Sequence, residues 1–351
     1  MNVTTNKSLS KIPVPVAIDA AGATPRAKRS RAPLTLIRAA GNTVALMTAV
    51  AVIGATYESI AGISDRTTYP ARGRLIDVGG YRMHLDCRGD GAPTVVMDAG
   101  LGGSSLDWSL VQADLARTAQ VCTYDRAGMG WSEVSPRPRT PKHIADELHS
   151  LLTNAGLSGP YVLAAHSLAG KTVRMFASAH PDEVAGMVLV DARSEFIDAL
   201  IPKAEAETFD VALQMQGALY SVARRFGVAR AFGSGLTGVP RLSPDTATEM
   251  ALLMTQTDAI DETIKEGEAR SADDATLAKS TLGSMPLLVI ASATSMADIP
   301  NWPMSQRRLA VLSTQGTLVI AEHARHAVQL EDPGIVIDGV EQVLASARSE
   351  P

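Results

Sequence analysis

Short apolar runs alternate with helical segments along most of this chain, and that alternation limits the possible folds more than any other feature. The runs lie at Thr94–Asp98, Tyr161–Ala165, Met187–Asp191, Leu287–Ile290 and Leu318–Ile320. Continuous apolar runs of this length are typical of parallel strands whose two faces are both covered. The alternation therefore predicts an α/β fold, in which helices cover both faces of a mostly parallel sheet.

Two further patterns complete a predicted catalytic domain at residues 72–351. Arg74–Val78 and Tyr81–Cys87 flank a pair of glycines and alternate in polarity, as the strands of a hairpin do. Residues 193–281 separate two of the buried strands and have helical patterns. We therefore expect one domain that carries a helical insert, and not two independent domains.

The N-terminal region predicts a membrane anchor. Residues 1–38 carry seven basic side chains and one acidic side chain, a net charge of 7 − 1 = +6, so the remainder carries −5 − 6 = −11. Ala39–Tyr57 has no charged residue and is about as long as a membrane-spanning helix requires. Because the basic residues precede it, the catalytic domain is expected outside the cytoplasm. We expect a disordered segment at 1–33 and a signal anchor at 34–60, with secretion after signal cleavage as the alternative.

A serine follows one of the buried strands directly. In the segment Tyr161–Gly170 the strand turns into a helix at Ser167, with Ala165 and Ala169 two residues to either side. A nucleophile elbow needs small residues at those two positions, because the strand and the helix pass close together there. The usual pattern has glycine at both positions, so the alanines make this motif only moderately specific.

The same residues allow a second interpretation. Residues 165–172 (AHSLAGKT) lack only the first glycine of the phosphate-binding pattern G-x-x-x-x-G-K-[ST]. A P-loop NTPase is therefore a remote alternative. It leaves the glycine-rich loop after Thr94–Asp98 and the histidine His326 after the last strand without an explanation.

Acyl transfer by a serine also needs a base and donors for the oxyanion. Of the seven histidines, only His323 and His326 follow the last strand, at the sheet edge where sites of this topology form. His326 is the favoured base. The glycine-rich loop after Thr94–Asp98 predicts that the backbone N–H groups of Leu101 and Leu168 both donate to the oxyanion.

Together these segments resemble the α/β-hydrolase family from about residue 72 to the C-terminus. The matching segments are DAGLGGSSLDW (98–108), YDRAGMGWS (124–132), AHSLAG (165–170), VLVDA (188–192) and RHAVQLEDP (325–333). The resemblance implies an eight-stranded sheet and assigns the insert at 193–281 to the position of the family's cap.

The acid that orients the histidine is displaced from the family's usual position. Members usually carry it shortly after the strand written here PLLVI (286–290), where this chain has Ser295, with Asp298 three residues further on. Some members take it from the end of the preceding strand, which is Asp191 here. Asp191 is favoured because a strand terminus holds it rigidly, and Asp298 is the alternative.

The resemblance implies a serine ester hydrolase that works through an acyl-enzyme and needs no cofactor and no metal. Amidase, carbon–carbon hydrolase, perhydrolase and acyltransferase chemistry stay open. The apolar insert suggests an apolar or amphiphilic ester as the substrate. The expected partners are that substrate and the membrane. The acidic domain argues against nucleic acid, and the oligomeric state is not indicated.

The two cysteines, Cys87 and Cys122, fall on strands that are neighbours in this family's usual order. Outside the cytoplasm they could form a disulfide, although a bridge between adjacent strands is geometrically demanding. Two free buried thiols are an equally open outcome.

Overall fold

The computed structural model describes residues 32–227 and 241–349, and an eight-stranded sheet lies at its centre. The strands are β1 (Arg74–Asp77), β2 (Arg82–Arg88), β3 (Thr94–Asp98), β4 (Val121–Tyr124), β5 (Tyr161–His166), β6 (Val184–Val190), β7 (Leu287–Ser292) and β8 (Gly316–Ala321). Their order across the sheet is β1-β2-β4-β3-β5-β6-β7-β8. The ladders β1–β2 and β2–β4 are antiparallel and the other five are parallel, so the predicted mostly parallel sheet is confirmed.

Helices cover both faces of the sheet. Outside the insert the α-helices are α1 (Ala32–Thr68), α2 (Ser109–Leu115), α3 (Pro141–Asn154), α4 (Ala169–Ala179), α10 (Ala293–Asp298), α11 (Trp302–Ala310), α12 (Val328–Glu331) and α13 (Pro333–Ser349). α3, α4 and α11 contribute to the apolar cluster on one face, and α2 and α13 contribute to the cluster on the other.

Strand β5 shows why continuous apolar runs predicted buried strands. Leu163 and Ala165 belong to one apolar cluster, while Val162 and Ala164 belong to the cluster on the opposite face. Successive side chains of a strand point to opposite faces. Both faces of β5 are buried, which explains why the run Tyr161–Ala165 is apolar.

The helices of the insert lie between β6 and β7. The described ones are α5 (Glu195–Asp198), α6 (Lys203–Arg225), α7 (Pro244–Met254), α8 (Thr257–Glu268) and α9 (Asp274–Leu277). Buried ion pairs join this insert to the sheet domain. The Arg174 guanidinium on α4 donates to both carboxylate oxygens of Glu195, at 2.6 and 2.9 Å.

The chain divides into two compact units, residues 1–49 and 50–351. Helix α1 begins in the first unit. Its apolar part, Leu36–Tyr57, contains 22 residues, enough by length and composition to cross a membrane, although a signal sequence passes the same test. The segment predicted to be disordered, 1–33, lies almost entirely outside the described residues.

Local sequence signals agree with the observed elements in most places. Thr140 and Pro141 form a typical helix start: Thr140 caps α3 by accepting a hydrogen bond from the His143 N–H, and Pro141 stands in the first turn. The sequence pattern of 104–117 predicts one helix, but the structure has a 3-10 turn at Ser105–Trp108 followed by the shorter α2. The alternation along Tyr81–Cys87 predicts a polar face for His84, but His84 is buried and its Nδ1 lies 2.9 Å from a carboxylate oxygen of Asp125.

The two cysteines are joined in a disulfide. Cys87 on β2 lies directly opposite Cys122 on β4 in the antiparallel ladder. The structure therefore favours the bridged alternative that the sequence left open.

Candidate active site

Ser167 occupies a strained turn between β5 and α4. Its φ is +53°, in the left-handed region that side chains other than glycine rarely adopt. Its neighbours must be small, as predicted: Ala165 and Ala169 are buried, and a Cβ on Gly170 would lie only 2.7 Å from Ala192 Cβ. The turn aims the hydroxyl above the carboxyl edge of the sheet.

The structure brings Ser167, His326 and Asp191 together in one chain of hydrogen bonds. His326 Nε2 lies 2.9 Å from Ser167 Oγ, and His326 Nδ1 lies 2.7 Å from Asp191 Oδ2. The His326 side chain is 48% exposed, whereas that of Asp191 is fully buried. The imidazole therefore links an enclosed carboxylate to a hydroxyl at the edge of the solvent.

Three further donors hold the carboxylate of Asp191. Oδ1 accepts from the Ser292 N–H at 3.1 Å and from Trp302 Nε1 at 2.8 Å, and Oδ2 accepts from Ser295 Oγ at 2.5 Å. These bonds fix the orientation of the buried carboxylate towards His326. Asp298, the alternative acid, is exposed at the end of α10, and the hydrogen bond of His326 Nδ1 goes to Asp191.

Ser295 and Trp302 were not predicted as site residues. Ser295 stands where the family's acid is usual, and its hydroxyl now donates to the displaced acid. That position was the only signal in the sequence. Nothing local pointed to Trp302, which starts α11 and lies 111 residues from Asp191 along the chain.

A second histidine supports the loop that carries the first. His166 Nε2 lies 2.9 Å from the carbonyl oxygen of His326, so the ring nitrogen is the donor. Burial, with a smaller contribution from the neighbouring His326, lowers the pKa of His166 to about 3. His166 is therefore neutral at ordinary pH and acts on His326 through its backbone.

The glycine-rich loop after β3 passes directly beside the elbow. A Cβ on Gly100 would lie 3.1 Å from Ser167 Cβ and 2.7 Å from His166 Nδ1, so only glycine fits. Leu101, whose N–H is one of the two predicted oxyanion donors, follows Gly100 directly. Leu168 is the residue before α4, a position at which a backbone N–H has no partner within the helix.

Arg126 holds the backbone of this loop through hydrogen bonds to its carbonyl oxygens. Its guanidinium donates to Asp98 Oδ1 at 2.8 Å, to the Gly100 carbonyl at 2.6 Å and to the Ala99 carbonyl, while its Nε donates to Glu266 at 3.1 Å. Burial raises the pKa of Asp98 to about 6, against the opposing effect of Arg126. The carboxylates raise the pKa of Arg126 despite its burial, so the guanidinium stays charged.

The insert closes over the same loop through α8. A Cβ on Gly102 would lie 3.0 Å from Thr263 Oγ1. Arg139, also buried, binds Glu262 at 3.2 Å and Glu266 at 3.2 Å. Two buried carboxylates on one helix of the insert thus bind guanidinium groups of the sheet domain.

The P-loop alternative is wrong. Lys171, which would bind phosphate, is fully buried, and its ammonium donates to Asp198, to Asp274 at 2.5 Å and to the Arg270 carbonyl at 2.9 Å. An ammonium enclosed by two carboxylates has no free face for a nucleotide. These bonds of Lys171 join the insert to α4.

One group of side chains outside this site has the composition of a metal site. The ligand atoms of His149, His180 and Glu183 all lie within 4.8 Å of one another. The two imidazole rings are stacked, with centroids 3.8 Å apart and 5° between their planes. A metal lies in the plane of each imidazole that binds it, so both rings would have to turn before they shared an ion.

Comparison with known proteins places this geometry in a family. A family model described as "alpha/beta hydrolase fold" matches residues 93–234. The "Putative carbamate hydrolase RutD" of Pseudomonas syringae pv. syringae is 30% identical over 253 residues, which are 70% of this chain and 92% of that protein. This chain belongs to the α/β-hydrolase family.

Other relatives of this α/β-hydrolase are much longer proteins. The "Probable transporter efuK" of Hormonema carpetanum is 33% identical over 149 residues, 40% of this chain and 21% of that protein. An uncharacterised protein of Schizosaccharomyces pombe is 33% identical over 228 residues, 64% of this chain and 41% of that protein. The chain therefore spans less than half the length of these two relatives.

Solved structures share the fold at low sequence identity. A malate-bound thermophilic esterase from Thermogutta terrifontis has a TM-score of 0.59 and 22% identity, covering 78% of this α/β-hydrolase and 97% of the esterase. The epoxide hydrolase CorEH has a TM-score of 0.60 and 19% identity, covering 78% and 97%. At these identities the likeness shows the fold and leaves the reaction open.

Proposed function

We propose that this α/β-hydrolase is a serine ester hydrolase. The observation that carries the proposal is the chain of hydrogen bonds from Ser167 Oγ through His326 to Asp191, at 2.9 and 2.7 Å. Both distances are within reach of proton transfer. Serine as the nucleophile separates this chain from hydrolases that attack with aspartate.

Each group has a defined part in the proposed reaction. His326 Nε2 takes the proton of Ser167 as the hydroxyl oxygen attacks the ester carbonyl carbon. Asp191 accepts from Nδ1, so it keeps the lone pair on Nε2 and stabilises the imidazolium that forms. The N–H groups of Leu101 and Leu168 stabilise the oxyanion.

Collapse of this intermediate expels the alcohol, which takes the proton from His326, and leaves Ser167 acylated. Water, deprotonated by His326, then attacks the acyl carbon and releases the acid. The apolar content of the insert favours an apolar or amphiphilic acyl group. Of the other chemistries that the sequence left open, amide hydrolysis is compared directly with ester hydrolysis in the test below.

The proposed location is a membrane, with the N-terminus in the cytoplasm and the catalytic domain outside. The apolar helix Leu36–Tyr57 and the basic residues before it support this orientation. The Cys87–Cys122 disulfide is consistent with an oxidising compartment. The mass of the mature chain distinguishes an intact anchor from secretion after signal cleavage.

Labelling with a fluorophosphonate probe tests the nucleophile. Ser167→Ala should lose both the label and the turnover of p-nitrophenyl esters, whereas Ser346→Ala on α13 should keep both. Undiminished labelling of Ser167→Ala removes Ser167 from this role. A series of esters of increasing acyl length, run beside the matching amides, then defines the substrate class. A preference for small charged acyl groups would contradict an apolar or amphiphilic substrate.

A further inference from the structure

Helix α6 of the insert packs through one of its two apolar faces. Leu213 and Gly217 are its buried residues. A Cβ on Gly217 would lie 2.9 Å from Ile260 Cγ2 and 3.0 Å from Ile264 Cδ1, so α6 and α8 are in close contact there. This face accounts for the position of α6 in the domain.

The opposite face of α6 is apolar and exposed. Val211, Met215, Leu219 and Val222 have exposed fractions of 55%, 69%, 65% and 52%. Their spacings of four, four and three residues place them in one row along the helix. We call these four residues the α6 stripe. At 100° per residue it points about 160° away from Leu213 and Gly217.

The stretch of α6 that carries the stripe is itself uncharged. Residues 211–223 (VALQMQGALYSVA) contain no Asp, Glu, Lys or Arg over more than three turns of helix. The exposed face of a helix in water normally carries charged side chains. Single exposed apolar residues are ordinary, but a continuous row of them marks a surface that binds an apolar partner.

The partner indicated by the structure is a lipid bilayer. Gly54, near the end of the apolar part of α1, lies against Phe226 at the end of α6: a Cβ there would be 3.1 Å from Phe226 Cα. Both residues belong to the second compact unit. Arg225, beside Phe226, is exposed and able to meet an anionic headgroup.

We propose that the α6 stripe lies in the interfacial layer of the membrane that holds α1, with its four side chains among the upper acyl chains. The proposal rests on the anchoring stated under the proposed function. A helix with an exposed apolar face, next to a membrane-spanning helix, is suited to this position.

The stripe is one layer of side chains away from the candidate active site. A Cβ on Gly267 of α8 would lie 2.3 Å from Leu213 Cδ2 and 3.8 Å from Leu101 Cδ2. The helix that faces lipid therefore packs, through Leu213, beside the loop that carries a proposed oxyanion donor. Esters dissolved in the bilayer are the substrate class that this arrangement favours.

The test uses the full chain in vesicles of phosphatidylcholine and phosphatidylglycerol. Met215→Cys and Leu219→Cys are labelled with an environment-sensitive fluorophore. Val311→Cys is the matched control, because the Val311 side chain is 77% exposed. The native cysteines are bound in the disulfide and do not react. Nitroxide groups on the upper acyl chains should quench the labels at 215 and 219 at least about threefold more than the label at 311.

Flotation of the unlabelled chain with the vesicles tests the anchor separately. Equal quenching at all three positions in a chain that floats overturns the stripe proposal and leaves the anchor intact. A chain that does not float contradicts the anchor and, with it, the stripe proposal. If the labels at 215 and 219 are shielded from aqueous iodide without vesicles, the stripe binds protein, for example a second copy, and the proposal is wrong.

Discussion

Arg126 Nη2 donates a hydrogen bond of 2.6 Å to the carbonyl oxygen of Gly100, the residue immediately before Leu101. The same guanidinium binds Asp98 at the end of β3 and Glu266 in the insert, and it is almost fully buried. The loop that carries a proposed oxyanion donor is therefore held by one charged side chain that also holds the insert. Arg126 is a positioning residue in this proposal.

Arg126→Lys is expected to lower kcat about tenfold to a hundredfold with a smaller change in KM. A single ammonium group cannot bind the Gly100 carbonyl, Asp98 and Glu266 together, and loss of one oxyanion donor costs about a hundredfold or more. Steady-state kinetics with a p-nitrophenyl ester measure the effect.

Arg82→Lys is the matched control, because Arg82 pairs with Glu133 at the surface. An exposed pair contributes about 1 kcal/mol or less, so this variant should keep the parental kcat. A parental kcat in Arg126→Lys, with equal thermal stability, would show that the loop does not depend on the guanidinium.

Asp191→Asn and Asp298→Asn form a pair that decides which acid orients His326. Asp191→Asn should lower kcat about a thousandfold to ten-thousandfold, because the amide cannot hold the imidazole in the required tautomer. Asp298→Asn should change kcat less than about twofold, as expected for a surface substitution. The reverse order of effects would assign the role to Asp298.

His166 makes stability depend on pH. Burial lowers its pKa from 6.5 to about 3, so between these values the unfolded chain binds a proton that the folded protein does not. Its contribution to the free energy of unfolding is complete above pH 6.5 and is lost as the pH falls towards 3. At pH 5 the expected loss is about 2 kcal/mol relative to neutral pH.

In His166→Gln that part of the pH dependence should be absent. Urea unfolding in detergent solution at pH 7.5 and pH 5 measures the difference between the parent and the variant, while the other titrating groups, Asp98 included, are common to both. His323→Gln is the control, because His323 is exposed. An identical loss of stability in the parent and in His166→Gln would mean that His166 takes up a proton in the folded protein.

The disulfide predicts the thiol content and the stability of the protein. Cys87 and Cys122 are separated by 35 residues, and closing a loop of that length stabilises a fold by about 3–4 kcal/mol. Denatured, non-reduced protein should contain no free thiol, and the Cys87→Ala/Cys122→Ala variant should unfold at a lower urea concentration. Two free thiols in protein isolated without reductant would contradict the bridge.

Much of the fold is determined locally in the sequence. β3 begins and ends where the predicted run Thr94–Asp98 does, and Thr140 with Pro141 marks the start of α3. Local signals suffice here because a strand buried on both faces is apolar at most of its positions, and because capping depends on neighbouring residues. The turn at Ser167 was predicted on the same kind of evidence.

The ion pairs of the interior were decided by the tertiary structure alone. Arg126 and Glu266 are 140 residues apart. Nothing in the sequence distinguishes either of them from a charged residue on the protein surface. Lys171 appeared in a phosphate-binding pattern, yet it is buried against Asp198 and Asp274. Whether a charge is buried depends on which partner the fold brings to it.

The order of the strands decided how the candidate site is assembled. The sequence left both Asp191 and Asp298 as candidates for the acid that orients His326. Asp191 ends one predicted strand, and Asp298 lies beyond the end of the next one. β6 lies beside β7 and β7 beside β8, so the ends of β6 and β8 reach the same edge of the sheet and His326 meets Asp191 across 135 residues of chain. The sequence by itself determined the residue types and the local turns; the distances between them exist only because a parallel sheet collects the carboxyl ends of its strands at one edge.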